Sequence, residues 1–280
     1  MPFSRSVHHW LAVIVALLPF ITGAGCQLLL PGAEELVSGK SPLKPIVAPR
    51  EVIDLEVYYV DRSIGDPLIG DSLWRSLSPI SSLAAESGKR LTEDGFRYAM
   101  APSRPPRNLQ SLLSLSNDQD PSRRVVPHRY SVPSGQETML MISNPPDGTP
   151  LSVKSDDVQK SVQLSQAQCL FRLSARRVDE GWVALSMTPE IRHGANTLRP
   201  VAMDQDWQYR EQQQTLTFYQ HRLAADVNVG EVIVLGLEPT ATDSVASRFF
   251  RADLTRGVER LILIRVVSMR SVDPVRAGQE

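Results

Sequence analysis

"CLFRLSARRVDEGWVALSMTPEI", residues 169 to 191, is the stretch that decides the fold. Two runs of strand composition flank Asp179, Glu180 and Gly181, and a short polar turn with glycine between such runs reads as a tight antiparallel hairpin. In the first run Cys169, Phe171, Leu173 and Ala175 occupy every second position, which places them on one strand face. That face predicts a buried Cys169 thiol acting as a small hydrophobe.

Working outward, similar runs recur at 137–143 (ETMLMIS), 215–223 (TLTFYQHRL), 231–237 (EVIVLGL) and 260–269 (RLILIRVVSM). With no long helix among them, they predict a mainly antiparallel β-sandwich or curled sheet over 129–270. The region before it reads differently. In "EVIDLEVYYV", residues 51–60, Ile53, Leu55, Val57 and Tyr59 alternate with Asp54, Glu56 and Tyr58, the period of a half-buried strand. Ser78 and Pro79 suit a helix N-cap and first helical position, with Ile80, Leu83 and Ala84 at helical spacing. "FRYAMA" at 96–101 reads as a second strand, and "PPRNLQSLLSL" as a helix with Leu109, Leu112 and Leu113 on one side. A strand, a crossover helix and a strand normally give a parallel pair. The expected fold class is therefore α+β: a small α/β (βαβα) module at 51–116, a polar linker at 117–128, the β-rich domain at 129–270 and a disordered tail at 271–280.

At the N-terminus, Arg5, His8 and His9 precede the apolar run Trp10 to Ile21, and Gly23, Ala24 and Gly25 lead into Cys26. Spanning a bilayer takes about 20 apolar residues, so residues 1–26 read as an export signal; an uncleaved anchor, or a short core helix stopped by Pro19, is the alternative. The end of the run resembles the lipobox of bacterial lipoproteins, with Gly23 standing where that family usually has leucine. The resemblance implies lipid attachment at Cys26, against ordinary cleavage after Gly25. Such acylation would hold the chain on a membrane. Residues 27–50, punctuated by Pro31, Pro42, Pro45 and Pro49, read as a tether. The expected location is exported, periplasmic and membrane-anchored, on either membrane.

A formal charge of −1 argues against nucleic acid as a partner, because neutralising phosphates takes a basic face. No lysine-bearing glycine loop, GxSxG elbow, HExxH helix or paired CxxC occurs, so no catalytic residue, metal set or cofactor is expected. His128, His193 and His221 are scattered, Glu190 and Glu211 make only an unspecific carboxylate pair, and Asp118 and Asp120 lack the remaining ligands of a calcium loop. Recognition chemistry concentrates in "GANTLRPVAMDQDWQYREQQQ", residues 194–214. There Arg199, Trp207, Tyr209 and Arg210 are of the types enriched at contact hot spots; otherwise this is a long hairpin loop whose aromatics pack on a sheet edge.

Taken in order, "VALSMTPEIRHG", "FYQHRLAADVNVGEVIVLGL", "RFF" and "RLILIRVV" resemble the core of secretins, the ring-forming outer-membrane channel proteins of bacterial secretion and pilus systems. Pro189 and Glu190, Gly230, then Val232, Ile233, Val234, Gly236 and Leu237 match that pattern. Phe249 and Phe250 precede the last core strand, Leu261 to Val267, and "SVPSGQETMLMIS" looks like the entry strand with Ser134 and Gly135 at its turn. Leu235 and Val266 depart from the usual glycine and proline. Between Leu237 and Phe249 the family carries a long stretch tied to its gate and lip, where this chain has only "EPTATDSVASR". The resemblance implies an envelope protein with a structural or assembly role, secretin-related but without its own gate. Its partners would be the membrane through Cys26 and an envelope protein or further copies of itself. The other class is an envelope hydrolase or carbohydrate- or peptidoglycan-binding module that uses the 194–214 loop.

Overall fold

The computed structural model describes residues 50–117, 119–155, 158–203, 206–251 and 257–272. All of them belong to the compact unit formed by residues 48–280. The elements run β1 (Arg50–Ser63), α1 (Asp71–Trp74), α2 (Ala85–Glu93), β2 (Phe96–Ala101), α3 (Arg107–Ser114), β3 (Val125–Pro133), β4 (Glu137–Ser143), β5 (Thr149–Ser155), β6 (Val158–Leu164), β7 (Gln168–Asp179), β8 (Trp182–Met203), β9 (Asp206–Thr217), β10 (Leu223–Asn228), β11 (Val232–Leu237), α4 (Val245–Phe250) and β12 (Val258–Val272).

A first sheet has the order β2-β11-β12-β1-β3; a second has β10-β8-β7-β4, with β9 also pairing β8; β5 and β6 form a separate hairpin. The two sheets face each other across one apolar core. Ile53, Leu55 and Val57 of β1 and Ile262 and Ile264 of β12 meet Leu140 of β4, Phe171 and Leu173 of β7 and Leu185 of β8 there. The far face of the first sheet, through Val60, Val234, Leu261 and Leu263, packs on Leu73, Trp74, Leu109 and Leu112 of α1 and α3. The order in space is thus sheet, sheet, helices, which explains two sequence patterns. β11 is buried at all of its positions because both its faces are covered, while β7 buries Cys169, Phe171, Leu173 and Ala175 on one face.

The α/β module expected over 51–116 does not form. β1 pairs with β12 and β3, and β2 pairs with β11, all antiparallel. Two strands from the end of the chain lie between β1 and β2, so the crossover through α1 and α2 joins strands that never touch and run in opposite senses. The helix expected from Ser78 begins at Ala85, because Ser78 instead exchanges both backbone hydrogen bonds with Met100 of β2, each 2.8 Å. The run 215–223 is also not one strand: β9 ends at Thr217, a 3-10 turn occupies Tyr219–His221, and β10 starts at Leu223.

Two glycines of "VNVGEVIVLGL" have specific reasons. Gly230 turns the chain at φ +92 and donates its N–H to Val266 O at 2.7 Å. Gly236 leaves room for the Trp74 ring, whose Cζ2 would lie 2.9 Å from a Cβ at that position. At the other end of the first sheet Arg50 pairs with Val272, so the chain enters and leaves the fold side by side. Asp54 clamps that end. Its carboxylate accepts from Arg270 Nε at 2.8 Å, Ser131 Oγ at 2.6 Å and Ser268 Oγ at 3.0 Å, joining β1, β3 and β12.

Candidate functional site

The strands β3 and β4 leave the turn at Ser134 and Gly135 into different sheets, so the sandwich is open along the side between them. Where they are furthest apart lies a groove of about 500 Å³. Tyr59 and Asp61 of β1 and Arg260 of β12 line it from the first sheet, and Met141 and Ile142 from the second. Phe249 and Phe250 of α4 close its floor. Ser244 caps that short helix by accepting the Ser247 N–H at 3.2 Å. The Phe249 ring stands 5.2 Å from Phe171 and Phe250 stands 6.0 Å from Phe96.

A single guanidinium organises the polar part. Arg260 grips Asp61 with both forks, Nε to Oδ1 at 2.6 Å and Nη2 to Oδ2 at 2.8 Å, and donates from Nη1 to Ile142 O. Ile142 is the bulged residue between Met141 and Ser143, so its carbonyl is free of the β4–β7 ladder and can accept from the opposite sheet. Burial alone would lower the Arg260 pKa; the Asp61 carboxylate outweighs it and the guanidinium is held above its ordinary value. Arg260 also sits 5.6 Å from the Tyr59 ring centroid, and His128 meets that ring edge-on at 5.2 Å. Burial, and then its hydrogen bond with Tyr130, raises the Tyr59 phenol above the usual range, so its proton stays in place. Asp61 is committed to Arg260, and the rest of the lining mixes Met141, Phe249 and Phe250 with the Tyr59 and Tyr130 phenols, His128, Arg124 and Asn144.

Of the candidate catalytic, metal-ligating and contact residues weighed from the sequence, His128 alone lines this groove, beside Phe249 and Phe250 of the secretin-like pattern. Cys169 is fully buried, and burial pushes its thiol up to about 12, so it stays protonated. Glu190 is bound by Arg172 on the second sheet. It pairs with Thr217, six residues along β9 from Glu211, or about 20 Å of extended chain, too far for a glycosidase pair. His193 is buried on β8, while His221 bonds Asp94 with its Nε2 and packs 5.8 Å from Phe218. Among the described residues no three His, Cys, Asp or Glu side chains are placed to hold a metal ion. Asp120 accepts from Ser122 N–H at 2.9 Å, and Asp118 lies outside the described residues, as do Cys26 and the rest of 1–49.

The 194–214 segment is a paired ribbon rather than a loop. β8 and β9 run on beyond the second sheet as two strands, from Thr197 opposite Gln212 to Met203 opposite Asp206. Arg199 pairs with Arg210, Pro200 with Tyr209 and Ala202 with Trp207 along the backbone. Leu198 and Tyr209 are 66% and 72% exposed; the side chains of Arg199, Trp207 and Arg210 lie outside the described residues. The groove itself escaped the sequence reading, since it draws on positions from 59 to 260 and no local motif carries it.

The chain is thus an antiparallel β-sandwich with helices on one outer face, a groove in one open side and a ribbon beyond one sheet. No protein-family model matches it, and no curated protein sequence matches it. Solved structures similar to it include secretins. They include the type IV competence pilus secretin PilQ of V. cholerae (TM-score 0.25, 10% identity, over 86% of this chain and 64% of that one). The secretin GspD in the ETEC pilotin–secretin AspS–GspD complex gives a TM-score of 0.25 at 11% identity, over 94% of this chain and 54% of that one. The InvG secretin domain β-barrel of the Salmonella SPI-1 injectisome gives 0.22 at 13% identity, over 83% and 66%. The chain spans less than two thirds of the length of each of these proteins.

Proposed function

We propose that this chain is an exported, lipid-tethered envelope protein with a structural or assembly role, a secretin-related component that makes contacts rather than a pore of its own. The ordered motifs from Pro189 to Val267 and the signal ending at Cys26 support the reading. The observation that carries it is the ribbon: two strands without a third are marginal in water, yet here they project with Leu198 and Tyr209 exposed. A ribbon of that kind is stabilised by the partner it meets.

The test is a chain in which residues 197–212 are replaced by a two-residue turn, compared with the intact chain in detergent extracts of the envelope. The shortened chain is expected to keep its melting temperature and lose its envelope protein partners in pull-down. Unchanged partners, with the fold intact, would discard the assembly role of the ribbon. For the tether, fatty-acid labelling that is equal in the intact chain and in Cys26→Ser would rule out lipid at Cys26.

A further inference from the structure

The border strands of the two sandwich sheets differ in whether another strand can be added to them. On β3, the bonds from Ser134 N–H to Glu51 O and from Asp61 N–H to Arg124 O set the phase of the ladder. Val132, Tyr130, His128 and Val126 therefore bond inward to β1, while Pro133, Ser131, Arg129, Pro127 and Val125 face out. Two of the five outward positions are prolines without an N–H, a standard block on edge pairing. On β2 the outward groups of Met100 are taken by Ser78. On β10 the outward N–H of Asp226 is held by Ser82 Oγ at 2.9 Å and that of Asn228 by Glu231 Oε2 at 2.8 Å.

β4 has none of these devices. The Ala175 carbonyl bonds toward β4, to Gly135 N–H, so the odd-numbered residues of β7 serve that side. Leu173 and Phe171 then bond Thr138 and Leu140, leaving the N–H and C=O of Glu137, Met139 and Met141 turned outward. Among the described residues nothing bonds them, and the strand carries neither proline nor lysine. Met139 and Met141 are 41% and 42% exposed. The single charge, Glu137, lies 3.7 Å from Arg172 of its own chain.

We propose that β4 is the seam of a two-fold dimer, pairing antiparallel with β4 of a second copy about an axis at Met139. An open edge strand can be completed by the same strand of a second copy about a two-fold axis, with no other surface required. The register agrees with the charges. Each Glu137 faces Met141 of the other copy, so no like charges meet, and the methionines of both copies form one apolar row beside Leu170. Three outward residues on each strand give about six backbone hydrogen bonds, and the Ile142 bulge ends the seam. A contact this short belongs to the weak, exchanging class of interface. The inference goes beyond the assembly role above and rests on strand edges alone, so it stands or falls separately from the ribbon and its envelope partners.

The test uses the full chain in detergent at about 0.1 mM, where weak dimers form. Residues opposite each other in a bonded antiparallel pair lie about 5.5 Å apart at Cα, inside the disulfide range of about 4.4–6.8 Å. Under mild oxidation Met139→Cys should cross-link at least about tenfold more than Arg129→Cys on β3 or the unsubstituted chain, as a contact at β4 alone demands. Met139→Pro, which removes only an outward N–H, should shift sedimentation from dimer to monomer. No cross-link with Met139→Cys, with the unsubstituted chain sedimenting as a monomer, overturns the proposal. Equal cross-linking at Arg129→Cys overturns it too, since the contact is then not the β4 seam. So does a β4 edge occupied by a different protein in a one-to-one complex with no homodimer.

Discussion

The two sheets are built to different rules. The first is covered on both faces near its middle and the second on one face only. β1 shows the change within one strand: from Ile53 to Tyr59 alternate residues are buried, but from Tyr59 through Arg62 every position is, because α1 and α3 cover the outer face of that half. Both halves pack on the second sheet through their inner face, Ile53 and Leu55 included; on the outer face helices cover one half, and ionic and hydroxyl contacts at Asp54 hold the other.

If that contrast is correct, truncations on the two faces of the first sheet should cost alike. Leu263 faces the helices and Ile262 faces the second sheet, and both are within 1% of full burial. Leu263→Ala and Ile262→Ala are each expected to lose about 3–4 kcal/mol in denaturant unfolding. A cost below about 1 kcal/mol for Leu263→Ala would mean the helical layer is not a true second core. Gly236→Val probes the close approach between sheet and helix. Trp74 cannot yield easily, because its Nε1–H is bonded to Ile69 O at 3.1 Å, so an expected loss of about 2–3 kcal/mol follows from overpacking. The third effect is smaller and depends on pH. Arg270 first, then the hydroxyls of Ser131 and Ser268, hold Asp54 down to about 2 against the cost of burial. A carboxylate with a lowered native pKa adds stability that is complete above its unfolded value near 4 and fades as pH falls toward 2. Screened by solvent, this amounts to about 1 kcal/mol. Asp54→Asn should therefore lower the melting temperature at pH 7 and lose most of the difference by pH 2; an equal deficit at both would rule out the charge as the cause.

Much of the second sheet was legible because one solvated face keeps a strand alternating. The bounds of β4 coincide with the predicted run, and Gly181, at φ +78, marks the predicted β7–β8 hairpin. The first sheet was less legible for a topological reason. That β11 and β12 insert between β1 and β2 is a matter of pairing across most of the chain, and nothing between residues 51 and 116 records it. β3 was hidden by the prolines that protect it: Pro127 and Pro133 sit at outward edge positions, where a strand tolerates them but a pattern search reads a turn. The groove was invisible because its key acceptor is a backbone carbonyl, freed by a bulge at Ile142.

The pairing of Arg50 with Val272 also has a mechanical side. A load applied between Arg50 and Val272 would open β1 from β12 like a zipper, one pair at a time, and would meet the Asp54 clamp after the first few pairs. A load applied at Arg50 against the body of the sandwich would instead pull β1 lengthwise between β12 and β3, and many hydrogen bonds would share the strain at once. The fold therefore yields readily when Arg50 and Val272 are drawn apart and resists when Arg50 is dragged against the sandwich.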